Sequence, residues 1–279
     1  MNLRFLAYSN DIILWRWIMR PNRVKRALMH GEVQIGTWIT VLHNPQIAQM
    51  MATAGFDFIY IDMEHSTLSI ETVGDLCYSA LAAGLVPIVR PPGKDTHLLS
   101  RPLDGGAMGL LIPHLDTREE AEAVIKAIRF PPLGERGINL MGVHTGFSKA
   151  DGDAYIQSTH AETLLLVQIE SDRGIGNLDK ILSVDGIDGC VIGRADLSTD
   201  LGLPGQIDHP EVVRRVEMMI TACRRHGKIP GLLVQDIASA KEWITKGILI
   251  VPFANEVSLL VNAGARAVSE IRNFVKEGR

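Results

Sequence analysis

Leu164-Leu165-Leu166-Val167-Gln168-Ile169-Glu170 is a short, Leu-rich run that ends on a carboxylate. Gly189-Cys190-Val191-Ile192-Gly193 is a second such run, and Asp196 follows just after it. Runs this short and this apolar read as buried strands of a parallel sheet, because a strand with one wet face would alternate. Further runs occur at 33–39, 56–61, 86–89, 108–112, 229–234 and 248–252, so the count is eight. Helix-like segments lie between them. Thr117 opens one that reaches Ile128, with Glu120 as its capping-box partner. Another runs from Pro210 to His226, with Val212, Val213, Val216, Met219, Ile220 and Cys223 on one face and Asp208-His209-Pro210 as its start. Eight strand–helix alternations predict the α/β class and a closed (β/α)8 TIM barrel, with an open doubly wound sheet as the alternative. The absence of GxGxxG after the first strand weakens a dinucleotide-binding reading, and the absence of GxxxxGK[ST] excludes a P-loop.

Composition agrees with one domain of this kind. The chain has 279 residues, 46% of them hydrophobic and 22% charged; a barrel needs about 250. A net charge of −4 argues against a general nucleic-acid binder. Cys77, Cys190 and Cys223 are scattered without a CxxC pair, which points away from disulfides and thiolate zinc and toward a reducing, cytoplasmic compartment. Cys190 lies inside a strand run and reads as core. Asn10-Asp11 and Arg16 break up the apolar residues near the start, so no stretch there approaches the ~20 residues of a membrane span. Met19 precedes Arg20-Pro21-Asn22, a helix start. The expected organisation is an extension over 1–18 and a single barrel domain over 19–279.

A parallel barrel presents its chemistry at the C-terminal ends of its strands. Those ends carry Trp38, then Asp62, Glu64 and His65, then Arg90, Pro113 and His114, Gln168 and Glu170, Asp196, Leu233 and Gln235, and Asn255 and Glu256. Glu170 and Asp196 either cap the helices that follow or share one divalent cation. Ser171 and Ser198 are alternative caps that would free them for a metal. Two carboxylates held close repel unless neutralised, and hard oxygen ligands suit Mg2+ or Mn2+. Asp62-Met63-Glu64-His65 places an aspartate three residues before a histidine, as in an acid–base dyad, with Glu64 as supporting group or structural ion pair. Arg90 precedes Pro91-Pro92, which stiffen the loop, and its planar fork suits a carboxylate or an enolate oxygen; a mouth salt bridge is the plainer reading. Arg136, in the Pro131–Gly137 turn, is either structural or a contact to an anionic substrate. No lysine stands at a strand end, so Schiff-base chemistry has no candidate and metal-assisted enolisation is favoured.

Asp62-Met63-Glu64-His65, Val89-Arg90-Pro91, Phe130-Pro131-Pro132-Leu133-Gly134-Glu135-Arg136-Gly137, Gln168-Ile169-Glu170 and Gly193-Arg194-Ala195-Asp196-Leu197-Ser198 occur in one order along the chain. On these motifs the chain resembles the HpcH/HpaI aldolases, metal-dependent (class II) pyruvate aldolases, a family that also includes macrophomate synthase. The resemblance runs from about residue 22 to about residue 274. It implies that Glu170 and Asp196 hold the metal (Mg2+ or Mn2+, with Co2+ as a further candidate). It implies that Arg90 binds the keto oxygen and stabilises the enolate, and that His65, paired with Asp62, moves protons through water. Gln168 would position substrate, Leu233 would form an apolar wall, and backbone amides near Ala195 and Asp196 would bind the pyruvate carboxylate. The implied reaction is retro-aldol cleavage of a 4-hydroxy-2-oxo acid to pyruvate and an aldehyde. Oxaloacetate decarboxylation is the alternative, and a non-catalytic barrel is a third reading. The implied partners are a small 2-oxo acid and further copies of the chain, in a hexamer built as a trimer of dimers with helix 257–274 exchanged between barrels; neither nucleic acid nor membrane is expected. Three segments depart from the family pattern: Arg194 where proline is usual, 138–147, and 252–256. The two longer ones are expected to face the aldehyde half of the substrate.

Overall fold

The structure, a computed structural model, describes residues 20–278. The expected extension over 1–18 lies outside the described residues. Eight strands form the sheet: β1 (Gln34–Ile39), β2 (Phe58–Asp62), β3 (Val86–Arg90), β4 (Gly109–Ile112), β5 (Leu164–Ile169), β6 (Gly189–Ile192), β7 (Ile229–Leu232) and β8 (Ile250–Asn255). Each pairs in parallel with the next, and β8 closes on β1, so the sheet is a closed barrel and not an open one.

Where strand ends depart from the apolar pattern, a polar group has taken over. Asp57 stands outside β2 because its carboxylate accepts the Ile35 N–H at 3.0 Å in place of a ladder carbonyl. β2 and β3 each run one residue beyond their apolar runs, so that Asp62 and Arg90 become partners in register. β8 starts later than expected and continues to Asn255. Its ladder with β1 slips between Gly36 and Trp38, alongside Ala254, whose φ of 50° is left-handed.

The interior has two layers. Inside the barrel, Phe58, Tyr60, Ile88, Leu111, Leu166 and Ile250 are fully buried. Gly36 makes room for them: a Cβ there would fall on the Phe58 ring, an overpacking that costs about 1–3 kcal/mol. Between strands and helices lies the larger cluster, which includes Ile61, Leu76, Val167, Ile192, Val216 and all three cysteines, each of which is a free thiol. The expected helix starts are present. Thr117 accepts from the Glu120 N–H and Glu120 returns the bond, and the Pro210–His226 helix begins with His209 as its cap.

Helix direction sorts the loops. Strands run toward the mouth and helices run back, so the segment after the Arg118–Ile128 helix lies at the opposite, N-terminal end of the barrel. That segment contains 138–147. His144 there is bonded to the carbonyls of Asp104 and Asn139, and none of its residues lines the mouth cavity. The expectation that 138–147 faces the aldehyde within this chain is therefore corrected. The same placement settles Arg136 as structural. It is 3% exposed, bonded to Asp104 at 2.6 Å and stacked over Phe130. The last helix, Glu256–Glu277, buries only Glu256 and leaves Leu260, Val261, Ile271 and Phe274 exposed. No helix among the described residues is long and apolar enough to cross a membrane.

Candidate active site at the barrel mouth

The register of β2 against β3 sets the first contact. Arg90 Nε donates to Asp62 Oδ1 at 2.8 Å and Nη2 to Oδ2 at 2.7 Å, a two-point fork on a carboxylate that is 1% exposed. Trp38 packs under the guanidinium, 4.4 Å from its carbon. The remaining terminal nitrogen, Nη1, lies 3.0 Å from Glu64 Oε2. Arg90 is thus held on every side before any substrate arrives.

This arrangement corrects the expected Asp62–His65 dyad. Both Asp62 oxygens are taken by Arg90, and Oδ1 also accepts the Glu64 N–H at 3.0 Å. His65 faces outward from the turn, with its side chain 60% exposed and Nε2 3.9 Å from Glu64 Oε2. Its carboxylate neighbour is Glu64. A two-point ion pair in a buried setting outcompetes a single hydrogen bond to an exposed imidazole.

Glu170 is free of capping duty. Ser171 caps the Asp172–Gly176 helix by accepting the Gly174 N–H. Glu170 instead accepts the His114 N–H at 2.7 Å on Oε1 and the Gln168 amide at 2.5 Å on Oε2. Burial raises its pKa; the Gln168 and His114 bonds pull the other way, and the Glu64 charge adds to the rise. Gly193 lies flush against it, since a Cβ at Gly193 would fall 2.3 Å from Glu170 Oε2. Gly193 also begins the Arg194–Asp200 helix, which has no side-chain cap and carries Asp196, half-buried, in its first turn. Ser198, expected as a cap, sits inside that helix and donates to the Ala195 carbonyl.

A cavity of about 270 Å3 opens above these groups. It is lined by every expected site residue except Glu170: Asp62, His65, Arg90, Gln168, Ala195, Asp196 and Leu233. Glu170 does not line it but is bonded to Gln168, which does. Of the departing segments, Ala254 and Asn255 reach the cavity. Arg194 also lines it but is committed elsewhere, to Asp208 at 3.1 Å and the Leu233 carbonyl at 2.9 Å, and burial lowers its pKa.

His114 was visible in the sequence only as one more strand-end residue. In the structure its Nε2 lies 2.8 Å from Glu64 Oε1 and its Nδ1 3.0 Å from Glu170 Oε1. The signal available was position, at the end of β4; no local pattern names its two partners.

The donors fit a divalent cation. Glu64, His114 and Glu170 offer atoms within 4.8 Å of one another. Asp62, Glu64, Glu170 and Asp196 stand at the strand ends with one guanidinium, Arg90, that is already paired with Asp62 and Glu64, and Arg194 is committed to Asp208, which leaves an excess of negative charge. Glu64 Oε2 is buried and forms no hydrogen bond among the described residues, its close partner being the Arg90 guanidinium at 3.0 Å, so it retains lone pairs that a cation or its water can use.

Comparison with known proteins agrees with this geometry. Residues 34–263 match the family model described as HpcH/HpaI aldolase/citrate lyase. The chain is similar to a hydroxypyruvate/pyruvate aldolase of Roseobacter denitrificans, 35% identical over 244 residues, covering 87% of this chain and 94% of the relative. It is similar to a 4-hydroxy-2-oxo-heptane-1,7-dioate aldolase of Salmonella dublin, 38% identical over 248 residues, covering 89% and 93%. Among solved structures, the HpcH/HpaI aldolase from Desulfitobacterium hafniense DCB-2 superposes with a TM-score of 0.85 at 31% identity, covering 89% of this chain and 96% of that one. The chain belongs to the HpcH/HpaI aldolase/citrate lyase family.

Proposed function

We propose that this protein is a divalent-metal-dependent lyase that cleaves a 4-hydroxy-2-oxo acid to pyruvate and an aldehyde. The observation that carries the reading is Arg90, a buried guanidinium fixed by Asp62 and Trp38 beside a cluster of carboxylates. Such a group, held in place before substrate arrives, is what a developing enolate oxygen requires.

Glu170 and Asp196 would hold the ion, Mg2+ or Mn2+ with Co2+ as a further candidate. When bound, it would polarise the substrate's C2 carbonyl as a Lewis acid. Arg90 would donate to the C2 oxygen and stabilise it as negative charge develops. The amides of Ala195 and Asp196, at an uncapped helix start, would receive the C1 carboxylate. Gln168, already tied to Glu170, would orient the oxo acid, and Leu233 would wall the apolar side. His65, on the open side of the cavity, would take the C4-hydroxyl proton through water, with Glu64 and not Asp62 as its carboxylate neighbour. The C3–C4 bond then breaks, the C4 oxygen becomes the aldehyde, and the electron pair passes into the pyruvate enolate. Protonation at C3 releases pyruvate.

The assembly expected from the family, a homo-hexamer with the last helix exchanged, is supported by the exposed apolar side chains of Glu256–Glu277. A cytoplasmic location is supported by three free, buried thiols. The deciding experiment follows pyruvate release from a series of 4-hydroxy-2-oxo acids with and without EDTA. Cleavage that ignores the chelator would overturn the mechanism.

A further inference from the structure

We propose that His114 is a nitrogen ligand to the divalent ion, and that it turns the site's preference from Mg2+ toward Co2+ and its borderline neighbours. The inference rests on the metal reading of Glu170 and adds a residue of this chain to it.

Three observations carry it. Both imidazole nitrogens point at carboxylates, Nε2 at Glu64 Oε1 (2.8 Å) and Nδ1 at Glu170 Oε1 (3.0 Å). All three side chains can therefore offer an atom to one ion, with those atoms within 4.8 Å of one another. Second, Glu64 Oε2 is buried and meets Arg90 Nη1 at 3.0 Å as an ion pair but forms no hydrogen bond among the described residues, so it keeps lone pairs to offer an ion. Third, the backbone is built to keep the imidazole there. His114 adopts φ of 49°, uncommon for a residue with a Cβ, and its N–H is bonded to Glu170 Oε1 at 2.7 Å. The ring is 56% exposed, so nothing in the core demands it.

The chemical consequence follows from ligand type. An all-oxygen site suits Mg2+ and Mn2+, whereas an imidazole adds affinity for Co2+, Ni2+ and Zn2+. The Arg90–Glu64 ion pair holds Glu64 beside His114, so Glu64 is a further oxygen that the ion could use.

The test measures metal binding, with Co2+ and Mg2+ as probes, by titration calorimetry and by the visible absorption of bound Co2+. The proteins are wild type, His114→Gly, His114→Asn and Glu170→Gln. Glycine and asparagine both tolerate the left-handed backbone, so either variant keeps the test alive if the other misfolds. The expected result is a loss of at least about tenfold in Co2+ affinity for both His114 variants, a much smaller change for Mg2+, and a Co2+ band moved to longer wavelength as nitrogen is replaced by oxygen. If Glu170→Gln abolishes binding while both His114 variants keep the wild-type Co2+ affinity and spectrum, His114 is a bridge between two glutamates and the inference is overturned, with the metal reading intact. If wild type binds neither ion, or Glu170→Gln binds both as wild type does, the metal reading falls and the inference with it.

Discussion

Asp62 and Arg90 stand opposite each other on adjacent strands and share two hydrogen bonds of 2.8 and 2.7 Å in a setting where the carboxylate is 1% exposed. The pair is a positioning device. It uses two of the guanidinium's nitrogens to aim the group and leaves its face on Trp38.

Replacing Arg90 by lysine keeps the charge and loses the fork. The expected outcome for Arg90→Lys is a fall of about 10²–10³ in kcat with a smaller change in KM, because the contact matters most to the enolate. Steady-state kinetics on the best oxo-acid substrate, together with NMR exchange of the pyruvate C3 protons, check it. A raised KM with kcat unchanged would place Arg90 in ground-state binding instead.

Gly193→Ala tests the close approach at Glu170. The added methyl would fall 2.3 Å from Glu170 Oε2, so the carboxylate must move. Metal affinity is expected to fall about 10–100-fold, as for disturbed supports of metal ligands, while circular dichroism stays that of a folded barrel. An affinity equal to wild type would remove Glu170 from the ligand set.

Chelation gives the third prediction. EDTA should abolish cleavage, and Mn2+ or Co2+ should restore it. An ion at a hundred times its Kd adds about 2.7 kcal/mol of stability through linkage. Thermal unfolding followed with and without the ion should therefore show a rise of several degrees. An unchanged midpoint would argue that the carboxylate cluster binds no ion in the native state.

His160 makes stability depend on acidity far from the site. Its Nε2 accepts the Phe130 N–H at 3.0 Å, which only the neutral ring can do. Burial, then Arg129 and Arg136, hold its folded pKa below the ordinary 6.5. The unfolded chain therefore takes up this proton first on acidification. Its contribution is fully present above 6.5 and is lost as pH falls from there through the depressed folded value. Wild type should lose more stability on acidification through this range than His160→Gln, as read by urea unfolding at each pH. Parallel losses would show that His160 does not titrate in this window.

The last helix gives a prediction of mass. Leu260→Ser with Ile271→Ser and Phe274→Ser removes exposed apolar side chains that the described residues do not cover. The particle mass measured by light scattering should fall, with the helical content of the barrel retained. An unchanged mass would locate the subunit contacts elsewhere.

Much of the mouth was legible because strand ends are local features. Asp62, Arg90, Gln168, Asp196 and Leu233 stand at or just past the ends of apolar runs and do line one cavity. Partnership was not legible. Asp62 is three residues from His65 yet binds Arg90, because register places a residue of β3 closer to it than its own turn does. Glu170 was separated from its capping role correctly, by Ser171, whereas Ser198 is a helix-interior residue. The loop 138–147 stands out in sequence but lies at the other end of the barrel, since the helix before it reverses the chain.

What the sequence by itself determined was therefore the alternation of eight buried strands with capped helices, and the chemical types at the strand ends. These depend on side-chain period and on neighbours a few residues away. Only the tertiary structure decided that Arg90 takes Asp62, that His65 is left to Glu64, and that His114 joins Glu64 to Glu170. Those choices depend on barrel closure and on the register of one strand against the next, which bring together residues 28 and 56 positions apart. No local pattern encodes that distance.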